Sequence, residues 1–233
     1  MKRTLCLPGG GADGNFTVGV LKRADELGRL GANIDLITAT SVGGLIGLKL
    51  AKDGGNTAGL VALFESIKSN KDIYNGMIKF DSVCDDIGMA SQILRDNKGV
   101  SVLDATPLHN LIDKEFGLML MGDLPIHCII TVVNLSKGIV EVFDSHINKT
   151  VKVADVAKAT SAMEGIFQGI MIDGDLYGDG GGLRNNPVCY AVEAGATDIL
   201  LIGTSADVYP RKDIPNKLLP ILIRLLESIM HSN

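Results

Sequence analysis

The chain has 233 residues, 46% of them apolar and 21% charged, with a formal net charge of -5. That length supports one large domain with a substantial core, and no Pro/Ser-rich stretch or charge block divides it, so a single domain over residues 1–233 is expected. The acidic balance excludes nucleic acid as an expected partner, and no run of about eighteen apolar residues offers a membrane span.

The first residues, Met1 to Pro8, break into glycines too early for a signal peptide, which makes a cytoplasmic location the expectation. Cys6, Cys84, Cys128 and Cys189 are scattered, with no C-x-x-C pair and no histidine at zinc spacing. They read as buried free thiols; no disulfide, metal or cofactor is expected.

Taken in order, Thr4 to Leu7 reads as a buried strand running into Pro8-Gly9-Gly10-Gly11-Ala12-Asp13-Gly14. Val18, Leu21, Ala24, Leu27 and Leu30 then recur at helical spacing, predicting a helix from Phe16 to Leu30 with Gly31 as its stop. A second strand ends at Ser41 and a helix follows from Gly43 to Lys52. Two successive strand-loop-helix units imply a parallel sheet between helices, a three-layer α/β/α fold.

Further helices are expected at 56–69 and 82–96, and at Asp104-Ala105-Thr106-Pro107, where a capping residue precedes proline and Leu108, Leu111, Ile112 and Phe116 form a buried face. Ile126 to Val133 and Ile139 to Phe143 read as a hairpin. A helix from Val153 to Met163 precedes a second hairpin, Ile170 to Tyr177, with a two-residue Asp-Gly turn. Asn186 and Pro187 cap a helix to Glu193, and 198–203 is read as a last core strand. Within 212–233 lies a nearly all-round apolar helix, suited to packing on the domain or on a second copy in a homo-oligomer, with peripheral membrane contact as the alternative.

Three glycine-rich turns fall where strands should end at their carboxyl edge: Gly9 to Gly14, Ala39 to Gly44 and Gly178 to Gly182. That edge is where ligands bind in open parallel sheets. A serine, a carboxylate and bare backbone amides there would form an acyl-transfer set. Ser41 would attack, Asp179 would take its proton, and the amides of Gly10 and Gly11, with Val42 at its helix start, would hold the oxyanion. A free aspartate, with a pKa of about 3.9, is a weak base toward a hydroxyl, so the scheme requires Asp179 to be desolvated.

These motifs resemble the patatin-like phospholipase family from Leu5 to about Ala206. Gly9-Gly10-Gly11-Ala12-Asp13-Gly14 is similar to its oxyanion loop, Ala39-Thr40-Ser41-Val42-Gly43 to its nucleophile elbow, and Asp179-Gly180-Gly181 to its D-G-G/A motif. The resemblance implies lipid or acyl-ester hydrolysis by a Ser41/Asp179 dyad without histidine, with Gly9, Gly10, Gly11 and Val42 around the oxyanion. Three departures stand out: Asp13 where the family carries a basic residue, Ala39 for glycine, and Glu164 for proline.

Other readings compete. Gly9, Gly11 and Gly14 also fit a G-x-G-x-x-G dinucleotide loop with Asp35 about twenty residues on, although Asp35 falls at the start of its strand rather than the end. A Ser-Asp-His triad would need a histidine after Asp179, and only His231 follows. His109, His127 and His146 read as surface or helix-cap residues. A catalytically silent acyl- or protein-binding relative is the third option, favoured by Asp13.

Overall fold

The computed structural model describes residues 1–30, 34–75 and 103–203. The expected helices at 82–96 and within 212–233, together with Cys84 and His231, lie outside the described residues.

In chain order the elements are β1 (Arg3–Leu7), α1 (Gly14–Glu26), β2 (Leu36–Thr40), α2 (Val42–Lys52), α3 (Ala58–Ser66), α4 (Thr106–Phe116), β3 (His127–Asn134), β4 (Ile139–Asp144), α5 (Val153–Thr160), β5 (Ile170–Ile172), β6 (Asp175–Asp179), α6 (Val188–Glu193) and β7 (Asp198–Leu201). Helix α1 ends earlier than its apolar spacing predicts. Gly28, at φ +65°, closes a Schellman motif in which its N–H bonds to Asp25 and that of Arg29 to Ala24, so Gly31 is not the stop. Leu27 is left exposed while Leu30 is buried.

Among the described residues the strands form one seven-stranded sheet in the order β5-β6-β3-β2-β1-β7, with β4 also paired to β3. β7, β1, β2 and β3 run parallel; β4 and β6 run antiparallel to β3, and β5 to β6. Helices flank this sheet, giving the expected α/β/α class. Leu5, Leu7, Ile37, Ala39 and Ile130 alternate toward one face and are buried there with Ile46 and Leu50 of α2 and Val156 and Ala159 of α5. On the other face the Thr40 hydroxyl meets the carbonyl of Arg184, in the segment leading to α6.

The approach of α2 to the sheet depends on one glycine. A Cβ on Gly43 would sit 2.2 Å from the carbonyl oxygen of Leu7, so only glycine lets the start of α2 settle over the end of β1. The second hairpin forms as expected, with Asp173 at φ +49° and Gly174 at φ +90° in a type I′ turn. The 198–203 segment differs: β7 pairs only with β1 among the described residues, and Leu200 and Leu201 are exposed. Among the described residues it stands at the edge of the sheet, a position that apolar composition alone cannot distinguish from a central one.

Candidate active site

Ser41 sits at the apex between β2 and α2 with φ +56° and ψ -132°, a region that a residue bearing a Cβ rarely occupies. The turn is held from both sides. Ser41 N–H donates to the Thr160 hydroxyl at 2.9 Å, and that hydroxyl donates to the Thr131 carbonyl at 2.9 Å, tying the apex through α5 to β3. The Ser41 carbonyl accepts the amides of Gly44 and Leu45 as α2 begins.

Asp179 ends β6. Its Oδ2 accepts the Ser41 hydroxyl at 2.6 Å across 138 positions of sequence, and its Oδ1 accepts the Gly181 N–H at 2.8 Å. Both side chains are buried, Ser41 at 4% and Asp179 at 2% exposure. Burial pushes the Asp179 carboxyl up to about 6, against the opposing effect of the Ser41 and Gly181 hydrogen bonds. The desolvation that a Ser/Asp pair requires is therefore present.

The glycine loop faces the same site from the end of β1. Asn185 clamps Gly9: its Oδ1 accepts the Gly9 N–H at 3.0 Å and its Nδ2 donates to the Gly9 carbonyl at 3.3 Å. This corrects one expectation, because a Gly9 amide committed to Asn185 fixes the loop instead of offering a donor to substrate. A Cβ on Gly9 would lie 2.7 Å from the Ser41 Cβ, so the loop passes directly over the serine. The amides of Gly10, Gly11 and Val42 bond to no acceptor among the described residues.

Glu164 lies behind the carboxylate. A Cβ on Gly178 would come within 2.5 Å of its Oε1, an oxygen that is buried without a hydrogen-bond partner among the described residues. Burial, and then the charge of Asp179, push the Glu164 carboxyl up to about 7.

A cavity of about 460 Å³ opens onto the pair, with Ser41 and Asp179 both in its wall. Leu45, Phe64, Ile67, Leu108, Leu111 and Phe167 make most of the remainder apolar. It offers length and apolar surface to a chain-like group whose reactive end meets the serine.

His109 and His127 are half-buried and His146 is exposed; none bonds to Ser41 or Asp179 among the described residues. Asp35 accepts the Arg3 N–H at 2.8 Å at the start of β2, the far end of the strand from the glycine loop, which removes the ribose-binding acid of the dinucleotide reading. Sequence reasoning missed the roles of Asn185 and Thr160. Neither lies in a glycine turn: Asn185 only precedes Asn186 and Pro187, read as a helix cap, and Thr160 lies within the helix read over 153–163.

A serine on a strained strand-to-helix apex is thus bonded to a buried aspartate beneath a glycine loop, at one end of an α/β sheet. The patatin-like phospholipase model matches residues 5–192, and the chain belongs to that family. It is 29% identical over 204 residues to a cGAMP-activated phospholipase of Escherichia coli (strain TW11681), covering 79% of this chain and 53% of the relative. A protein of the same description from Vibrio cholerae serotype O1 (strain ATCC 39315 / El Tor Inaba N16961) is 28% identical over 206 residues, covering 79% and 55%. The chain thus spans about half the length of these relatives. Among solved structures, VipD from Legionella pneumophila shares the fold, with a TM-score of 0.58 at 17% identity over 86% of this chain and 49% of that one. No helix among the described residues is long and apolar enough to cross a membrane.

Proposed function

We propose that the protein is a lipid acyl hydrolase in which Ser41 is the nucleophile and Asp179 its general base. The observation that carries this is the 2.6 Å hydrogen bond from the Ser41 hydroxyl to a carboxylate raised by burial to about 6. At neutral pH Asp179 is ionised yet far more basic than a solvated aspartate, the compromise that general-base work requires.

Ser41 Oγ adds to the ester carbonyl while its proton passes to Asp179 Oδ2. The carbonyl oxygen becomes an oxyanion held by the N–H groups of Gly10, Gly11 and Val42, with the start of α2 adding its dipole. Collapse expels the alcohol, which takes the proton from Asp179 and leaves an acyl-serine. Water then attacks the acyl-serine, Asp179 accepting its proton and returning it to Ser41 Oγ as the fatty acid departs. The acyl chain lies in the apolar cavity throughout, where each methylene withdrawn from water is worth about 0.8 kcal/mol.

Membership of a phospholipase family and the names of the relatives support a phospholipid or related acyl ester as substrate. The test is release of fatty acid from phospholipid vesicles and of p-nitrophenol from acyl esters. Turnover that is lost in both Ser41→Ala and Asp179→Asn supports the reading. An unchanged rate in either variant removes that residue from the mechanism.

A further inference from the structure

At the end of the sheet away from Ser41, β3 and β4 gather a second set of functional groups. In their ladder Ile129 faces Asp144, so Asp144 lies diagonally across from His127 on the same face. His127 Nε2 and Asp144 Oδ1 are 2.8 Å apart. Beyond β4 the chain turns sharply. Ser145 N–H bonds to the Cys128 carbonyl at 2.9 Å, and Asp144 Oδ1 accepts the His146 N–H at 2.7 Å. This turn lays the His146 ring on that of His127, with centroids 3.7 Å apart and planes 10° from parallel. One ligand atom each from His127, Asp144 and His146 lies within 4.8 Å of the other two.

We propose that His127, Asp144 and His146 form a binding site for a divalent transition metal of the zinc class. Two imidazoles and one carboxylate suit that class, whereas calcium and magnesium favour all-oxygen sites. Three protein ligands leave a fourth position for water.

Two of the ligands are already fixed. The side chains of His127 and Asp144 are 11% and 14% exposed, and Asn148 holds Asp144 by accepting its N–H at 2.8 Å and donating to its carbonyl at 2.7 Å. The third is adjustable, since His146 is exposed. Ligand atoms in a tetrahedral zinc site stand about 3.3 Å apart, so a metal replaces the hydrogen now shared by His127 and Asp144 with only a slight opening of the pair. His146 must turn out of its parallel stack, because two parallel rings cannot direct lone pairs to one point.

The bound metal fastens the start of β3 to the turn after β4. His127 stands five residues before Val132, the β3 partner of Asp179, or about 16 Å along the strand. The metal therefore acts on stability and not on ester chemistry.

The test is calorimetric titration of EDTA-stripped protein with zinc chloride, alongside thermal melts and the visible spectrum of the cobalt form. One-to-one binding at about 10 µM or tighter is expected, with a raised Tm and the intense absorption of four-coordinate cobalt. His146→Ala alters an exposed side chain, so it should fold normally while weakening binding by about tenfold or more and erasing the Tm gain. Absence of saturable zinc binding overturns the proposal. So does binding of unchanged affinity in His146→Ala, or binding that disappears in Cys189→Ser instead.

Discussion

Thr40 and Asp179 occupy neighbouring rungs along one edge of β3, Thr40 opposite Thr131 and Asp179 opposite Val132. β2 climbs that edge and leaves it after Thr40; β6 descends it from the other direction and leaves after Asp179. β4 fills the opposite edge over the same residues, so the two strands meet end to end. Ser41, the first residue past β2, and Asp179, the last of β6, consequently flank one seam in the sheet, and the hydrogen bond between them follows from strand pairing.

Burial of Asp179 makes its removal a trade between activity and stability. Its folded-state pKa, about 6, lies above the ordinary 3.8, so the folded protein holds a proton that the unfolded chain has released between those values. Stability attributable to this group is complete below about 3.8 and is lost as pH rises through 6, to a total of about 3 kcal/mol. Asp179→Asn should therefore abolish turnover and yet unfold at higher urea than the wild type at pH 8, with the difference vanishing near pH 4. Denaturant curves at the two pH values check this.

Strain at the apex gives a second test. Ser41 carries a Cβ at φ +56°, a conformation that costs of order 1 kcal/mol or more and that glycine adopts freely. Both Ser41→Ala and Ser41→Gly should be inactive, but the glycine variant should be more stable than the alanine variant by about 1 kcal/mol. Equal stabilities would mean that the apex stores no strain.

Glu164 should appear in the pH profile. Asp179 ionises first, at about 6, and Glu164 follows at about 7. Glu164 adjoins β6 at Gly178, so its charge favours the transition state, in which negative charge leaves Asp179 for the substrate oxygen. The wild-type kcat/KM should rise in two steps, through about 6 and again through about 7. Glu164→Gln should keep the first step and lose the second; an unaltered profile would leave Glu164 without a part in the reaction.

The Asn185 clamp predicts a loss of kcat without contact to substrate. Asn185→Ala removes both hydrogen bonds to Gly9, each worth about 1 kcal/mol net, and frees the loop that presents Gly10 and Gly11. A fall in kcat of about tenfold or more is expected, with KM for short esters little changed. Stopped-flow ester assays separate the two constants.

For the apolar cavity, kcat/KM should rise about fourfold per methylene along an acyl-ester series until the space is filled, in line with about 0.8 kcal/mol per buried methylene. Leu111→Trp in the cavity wall should move that plateau to shorter chains while sparing the shortest ester.

Much of this architecture is written locally in the chain. Alternating strands and helices, the Ser41 apex with its small neighbours and the Asp173-Gly174 turn are each decided by a few adjacent residues. Hence the parallel core and the second hairpin could be anticipated, while the pairing of Ser41 with Asp179 is expected only from three glycine turns taken together and from the family resemblance. What escaped is set by pairing in space. Nothing near Asp179 in sequence says that β6 joins the edge of β3 vacated by β2, nor that Asn185 takes the Gly9 amide. The same holds for His127 and His146, which read as surface or helix-cap residues until the β3–β4 register sets them beside Asp144. Helix α1 failed for a local reason: Gly28 could enter the left-handed region and stop the helix before the apolar spacing ran out.

The most direct measurement is intact-mass and peptide mapping after treatment with a fluorophosphonate, which captures a serine activated as a nucleophile. A single adduct on Ser41 is expected, formed rapidly at pH 7.5, slowed strongly in Asp179→Asn and absent from Ser41→Ala. An unlabelled Ser41, or one labelled equally fast without the Asp179 carboxylate, would contradict the Ser41/Asp179 mechanism.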